Sequence, residues 1–442
     1  MDRLRVIVNN LSEKGGVYRN IALVIFTVFF VKILGFFKEV LIGNSFGMTE
    51  DLDVFFILIL IPSFFSSVFL GAFKAVLIPN YIFAQKNDNT IFHNNLIVQT
   101  ILLSLVLTIG LYFLSTPINT YLVRNYSEVF ANQVFANQYL FLLCIPIWTF
   151  SSLLSGLLDI KKRFVISALY PIITSIVFIV LLFFYKPSIH ILVYAFVLGS
   201  ILELLFLLCF QPVKLVLSDV KFNDPDSIIL YKQFLPKLIA GLIIGFNPIV
   251  DQLFTSQLTD GAISTLNYGN KLPAFAITIL TIGIGNVLLP YFAHLKDTPK
   301  GEILILLKKK FKAIFIIGIL CTFFLVVFGK DLIILFFQKG AFTQNHTEEV
   351  SLVLIMFSFQ IPFYLLDITL VRLLTAFNFN VFNITSSSIS VLVNVFCNYI
   401  FIEKYGVAGV ALSTSIVVFL SFVTKYLYVL RKFKTDKPVF LK

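Results

Sequence analysis

The chain has 442 residues, 58% hydrophobic and 13% charged, with a formal net charge of +11. So little polar material cannot coat a soluble body of this size, and the chain repeats apolar runs of the roughly 20 residues that a bilayer span needs. The positive balance does not imply nucleic acid, because most Lys and Arg fall in short loops between those runs, the positive-inside arrangement of a multi-pass membrane protein.

Hydropathy predicts twelve spans, at 20–43, 54–82, 95–115, 136–159, 164–185, 189–211, 228–256, 262–293, 311–329, 348–376, 381–402 and 407–430. The stretch before the first, MDRLRVIVNNLSEKGG, has no signal-type apolar core and reads as an amphipathic lead-in on the cytoplasmic surface. Span one carries Lys32, Lys38 and Glu39. A charge inside a span costs about 2.5–3.5 kcal/mol on insertion scales, so each needs protein or water to face. Lys32 and Glu39 are two turns apart and share a face, with Lys32 near mid-span; Lys38 points elsewhere and lies near the outer end, where it can snorkel.

Span two has Asp53 at its outer mouth and Ser63, Ser67, Gly71 and Lys74 at helical spacing. The serines alone are equally consistent with close helix packing. Span seven repeats the pattern with Lys237, Gly241 and Asp251 on one stripe and Asn247 beside it; span eight does so with Ser264, Asn267 and Lys271. Glu203 in span six and Lys425 in span twelve read as structural partners or snorkelling groups, and Asp367 and Arg372 in span ten as a pair or an ion-coupling set. Ser386, Ser387, Ser388 and Asn394 in span eleven read as packing. Pro62, Pro273 and Pro362 are expected to bend their spans. Cys144, Cys209, Cys321 and Cys397 lie inside apolar runs without metal-ligand spacing and read as small buried hydrophobes.

With the N-terminus inside, the inner segments hold Arg3, Arg5, Lys14, Arg19, Lys86, Lys161, Lys162, Arg163, Lys214, Lys221, Lys232, a cluster from Lys296 to Lys312 and the tail from Arg431. The outer loops hold Arg124, Lys186, Lys330, Lys339 and Lys404. Both termini are therefore expected in the cytoplasm.

The chain also repeats itself. VLIPNYIFAQKND at Val76 matches VLLPYFAHLKD at Val287, and IPIW at Ile145 matches IPFY at Ile361. Spans one to six thus correspond to spans seven to twelve in the same order, and an even number per half gives a parallel repeat. The expectation is an all-α polytopic membrane protein with two pseudo-symmetric six-helix lobes around a central cavity: residues 1–211, a cytoplasmic linker at 212–227, and residues 228–442. Polar stripes on equivalent helices of both lobes are expected to line that cavity and make it electropositive. There is no P-loop, no HExxH, no nucleophile elbow and no histidine cluster, and the outer loops are short, so catalysis and a cofactor are not expected.

Four motifs carry a resemblance over nearly the whole chain: KILGFFKE at 32–39, LDVFF at 52–56, YGNKLPAF at 268–275 and LFFQKGAFT at 335–343. By these the chain resembles the multidrug/oligosaccharidyl-lipid/polysaccharide exporter superfamily, and within it the MurJ-type lipid II flippases. The resemblance implies a bacterial inner-membrane transporter that moves a polyprenyl-diphosphate-linked saccharide outward by alternating access. It places diphosphate binding on Lys32, Lys38 and Lys271, with Asp53 as the acid at the mouth. The matching family positions are Arg, whereas this chain has Lys, a point charge without the bidentate fork. The family's further arginine in span two has no basic match, and its two additional C-terminal spans lie beyond the twelve found here. The substrate expectation therefore covers lipid II and a polysaccharide repeat unit alike. Glu39, Lys74, Lys237, Asn247, Asp251 and Asn267 are the remaining cavity or ion-coupling candidates, with H+ or Na+ as the coupling ion. The alternative reading is a cation-coupled drug antiporter of the same superfamily, which a lysine-rich cleft disfavours. A non-transporting scaffold would not need paired stripes.

Overall fold

A computed structural model describes residues 17–86, 90–211, 220–221, 223–258, 260–295 and 298–433. The predicted lead-in at 1–16, most of the linker at 212–227, Lys296 and the basic tail beyond 433 lie outside the described residues. The described residues form helices joined by short turns and loops, with no strand among them. In a bilayer the backbone has no water to bond, so each crossing satisfies its own N–H and C=O groups as a helix. Nine stretches among the described residues are long and apolar enough to cross.

The chain forms two compact units, Met1–Phe46 with Glu50–Gly245, and Gly47–Thr49 with Phe246–Lys442. The first contains α1 (Val17–Phe46), α2 (Glu50–Lys86), α3 (Thr90–Leu122), α4 (Glu128–Leu142), α5 (Cys144–Ile160), α6 (Phe164–Leu169), α7 (Ile172–Phe184), α8 (Ile189–Cys209) and α9 (Pro225–Ile244). The second contains α10 (Asn247–Thr255), α11 (Ala262–His294), α12 (Lys300–Phe336), α13 (Gln344–Ser358), α14 (Ile361–Ala376) and α15 (Asn380–Phe433).

The sequence drew the border at 212–227, whereas the packing draws it at Gly245. The reason is α9, which buries Phe234 edge-on against Phe69 and Phe73 of α2, with ring centroids 5.2 and 5.7 Å apart. Span seven is thereby split between units: it ends as α9 at Gly245 and restarts as α10, with Pro248 in its first turn, where its missing N–H costs nothing.

Each unit is held by its own apolar core. In the first, Phe55 meets Phe141, Phe178 and Phe196 edge-on at 6.0 Å each. Trp148 on α5 packs on Phe196, and its indole N–H donates to Ser200 Oγ on α8 at 3.0 Å, so the half-buried ring is satisfied. In the second, Leu266, Val353, Phe357, Val410 and Ala411 form the core where α11, α13 and α15 meet.

The two units use the same packing scheme. In the first, α2 packs on α4 and α5, α3 on α5, α1 on α7, and α7 on α8. In the second, α11 packs on α13 and α14, α12 on α14, and α10 on the first half of α15. The matched IPIW and IPFY segments both sit just after a helix break, at Leu143 between α4 and α5 and at Phe359–Gln360 between α13 and α14. Pro362 stands in the first turn of α14, where its missing N–H leaves no intrahelical bond unmade. Pro62 and Pro273 behave differently, with helix running through both. Spans eleven and twelve appear as one helix, α15, of 54 residues. At about 1.5 Å per residue it is far longer than a bilayer core of about 30 Å. Gly406, at φ 54° and ψ −133°, breaks it into the two predicted segments.

Candidate transport site

In the first unit the predicted groups separate into distinct environments. Lys32 is exposed on α1. Lys38 is not a free snorkelling group: its ammonium pairs with Glu39 at 2.8 Å and lies 4.9 Å from the Phe178 ring centroid on α7. Glu39 is thus joined to Lys38 rather than to Lys32, because two long side chains bridge adjacent positions. Asp53 lies in the first turn of α2, where it is fully buried. Its neighbour Asp51 accepts the Ile189 N–H at 3.1 Å and so satisfies a first-turn donor of α8.

Lys74 lies in a polar knot. Its ammonium donates to Ser155 Oγ at 2.6 Å, Asp159 Oδ2 at 2.9 Å and Ser167 Oγ at 3.4 Å, and the two serine hydroxyls are 2.8 Å apart. The knot ties α2, α5 and α6 together. Lys237 on α9 is exposed, with its ammonium 3.5 Å from the Ala75 carbonyl.

In the second unit Asp251 forms the densest polar centre. It is 5% exposed on α10. Its Oδ1 accepts from Asn394 Nδ2 and Asn398 Nδ2, both at 2.9 Å, and its Oδ2 accepts from Thr414 Oγ1 at 2.6 Å. Asn394 also reaches the carbonyl and side-chain oxygens of Asn247, at 3.4 and 3.5 Å. The structure therefore brings Asn247 and Asp251 into one cluster. Three helical segments supply it: α10 and the two halves of α15. Asn267 stands apart, its amide donating to Ile263 O at 2.9 Å along its own helix. Lys271 is half-buried, 5.8 Å from the Tyr268 ring centroid, a cation–π position.

Sequence reasoning missed Asn394, Asn398 and Thr414, having assigned Asn394 to packing. The signal was present: Asn394 and Asn398 are four apart and share a face. Asp159 was also missed; its partner is 85 residues away, and no local pattern announces it. Asp367 pairs with Lys425, at 2.8 and 2.9 Å, and not with Arg372 through this contact. Lys425 is 3% exposed, so it is a buried partner and not a snorkelling group.

The Asp251 centre has a definite chemistry. A buried carboxylate costs several kcal/mol unless a cation, a proton or strong donors compensate it. Amide orientation follows from the bonding network. Turning both amides presents two carbonyl oxygens beside the carboxylate and the Thr414 hydroxyl, a hard-oxygen set suited to a hard cation.

Comparison with known proteins bears on what this architecture serves. The family model for the lipid II flippase MurJ matches residues 42–442. The chain belongs to the lipid II flippase MurJ family. A probable lipid II flippase MurJ of Buchnera aphidicola subsp. Acyrthosiphon pisum is 28% identical over 414 residues, covering 88% of this chain and 79% of that protein. The lipid II flippase MurJ of Thermosipho africanus is 28% identical over 405 residues, covering 88% and 80%. Among solved structures, a lipid II flippase MurJ in an inward closed conformation superposes with a TM-score of 0.81 at 25% identity, over 94% of this chain and 88% of that one. An inward-facing multidrug MATE transporter superposes at 0.77 with 14% identity, which shows a shared fold. As a MurJ-family chain this is a multi-pass membrane protein of the multidrug/oligosaccharidyl-lipid/polysaccharide exporter superfamily.

Proposed function

We propose that this chain moves lipid II from the inner to the outer leaflet of a bacterial cytoplasmic membrane by alternating access. The family match over residues 42–442 carries the reading. The relatives named above are lipid II flippases, which favours lipid II over a polysaccharide repeat unit on the same carrier. Lys32 and Lys271 supply ammonium groups to the diphosphate, replacing its water with fixed positive charge. Lys38, held by Glu39 and Phe178, contributes to the local field and braces α1. Lys237 extends the basic lining, while Lys74, paired with Asp159, fixes the helices that carry it. The membrane potential contributes about 2.3 kcal/mol per charge per 100 mV, and inside-negative polarity drives an empty cationic site back inward.

The Asp251 cluster is the proposed coupling-ion site. A cation held there by Asp251, Asn394, Asn398 and Thr414 would neutralise the carboxylate and draw α10 and both halves of α15 together. Binding of lipid II to the purified chain tests the lysine assignments. Lys32→Ala and Lys271→Ala should each weaken binding while leaving thermal stability near that of the parent. Unchanged affinity in both variants would reject the assignment.

A further inference from the structure

Unit two contains a groove that the transport reading does not use. It has a volume of about 410 Å3 and runs between the two halves of α15. Its walls are mainly apolar, with Ile389, Val393, Leu420 and Leu427, interrupted by serine and threonine hydroxyls, Ser421 among them, and Arg431 closes it at the end of the second half. Phe382 and Tyr428 stack face to face at 3.7 Å, so the aromatic end is firm. The back wall is fixed too: Ser421 Oγ accepts from Lys425 at 2.6 Å and donates to Asp367 at 3.1 Å, which fastens α15 to α14.

Charge is concentrated at one end. Arg431 is exposed at the lip, and the Lys432 ammonium is 6.0 Å from the Tyr428 ring centroid. Phe311 of α12 packs on Phe422 and Tyr426 of α15 at 6.1 and 5.8 Å. This brings the basic run Lys308, Lys309, Lys310 and Lys312 to the same end of the unit as Arg431. An apolar slot that runs partway along α15 and ends at Arg431, with Lys432 over the adjoining Tyr428 ring, matches an amphiphile with a hydrocarbon chain and an anionic head. Basic groups beside membrane helices on the cytoplasmic side select acidic lipid heads.

We propose that this groove binds an anionic phospholipid of the cytoplasmic leaflet, with one acyl chain between the halves of α15 and the phosphate on Arg431. The site is separate from Lys32, Lys271 and Asp251, so it stands or falls apart from the transport reading.

The test is native mass spectrometry of the purified full chain, offered palmitoyl-oleoyl phosphatidylglycerol or the phosphatidylcholine with the same chains. The parent should retain more phosphatidylglycerol. Arg431→Gln should lower that retention about five-fold, as expected for one basic side chain near an acidic lipid surface, and leave phosphatidylcholine unchanged. Ile389 is 51% exposed, so Ile389→Trp adds bulk in the groove without crowding the core, and it should reduce both lipids. Equal retention of the two lipids by the parent, or no effect of Arg431→Gln, would overturn the proposal. So would undecaprenyl phosphate displacing phosphatidylglycerol from the parent but not from Ile389→Trp, because the groove would then belong to a polyprenyl tail.

Discussion

Replacing Asp251 in two ways separates its charge from its hydrogen bonds. In Asp251→Asn the remaining oxygen still accepts from Asn394 and Asn398. The new amide donates to Thr414 Oγ1, whose own proton has Val410 O as an acceptor at 3.3 Å. All three contacts survive and the buried charge is gone. In sodium-free buffer this variant should melt at or above the parent temperature. Asp251→Ala removes the 2.9 Å acceptor of both asparagine amides, but Asn394 keeps the Asn247 oxygens at 3.4 and 3.5 Å and Asn398 keeps Asn394 Oδ1 at 3.1 Å, so each loss is one net hydrogen bond of about 0.5–1.5 kcal/mol. Thr414 retains Val410 O, so the loss is about 1–3 kcal/mol and the melting temperature should fall. Sodium provides the second readout. A ligand at 100 times its dissociation constant stabilises by about 2.7 kcal/mol, so the parent should gain thermal stability with sodium and neither variant should. The assay is thermal unfolding of purified protein in detergent, in sodium or N-methylglucamine chloride. If Asp251→Asn melts as low as Asp251→Ala, the hydrogen-bond argument is wrong. If Asp251→Asn still responds to sodium like the parent, the ion is bound elsewhere.

Other variants probe the remaining polar centres and the packing. Lys425→Met strands a carboxylate behind α15 and should cost about 3–5 kcal/mol, while Lys425→Met combined with Asp367→Leu should recover most of it; a double-mutant cycle in thermal unfolding reads the difference. Lys74→Met should cost a comparable amount, because the carboxylates left behind, Asp159 and Asp367, are 19% and 18% exposed. A Cβ at Gly318 would stand 2.5 Å from Pro362 Cα, so Gly318→Ala should force α12 from α14 and destabilise by about 1–3 kcal/mol, visible as a lower melting temperature.

Hydropathy was enough to read an all-helical, multi-pass membrane chain, because a crossing segment must be apolar around most of its circumference. That property also hides orientation. Asn394 and Asn398, four apart, marked a shared polar face on α15, but nothing local told that this face turns toward Asp251 and not toward a packed neighbour. The repeat was legible at Ile145 and Ile361 because a proline just inside a helix start leaves the same mark in both halves. The unit border was not legible. It depends on Phe234 finding Phe69 and Phe73, a contact between segments more than 150 residues apart, whereas the polar stretch at 212–227 advertised itself as a linker. Glu39 was assigned to the face of Lys32 by helical angle alone. The reach of a lysine and a glutamate across adjacent positions outweighed that angle.

The central claim is tested most directly by outward movement of fluorescent lipid II in proteoliposomes holding the purified chain. Head-group exposure is measured by protection from a membrane-impermeant quencher. The account predicts exposure well above that of protein-free vesicles, with loss in Lys32→Ala and Lys271→Ala. Exposure equal to that of empty vesicles, from folded and correctly inserted protein, would contradict it.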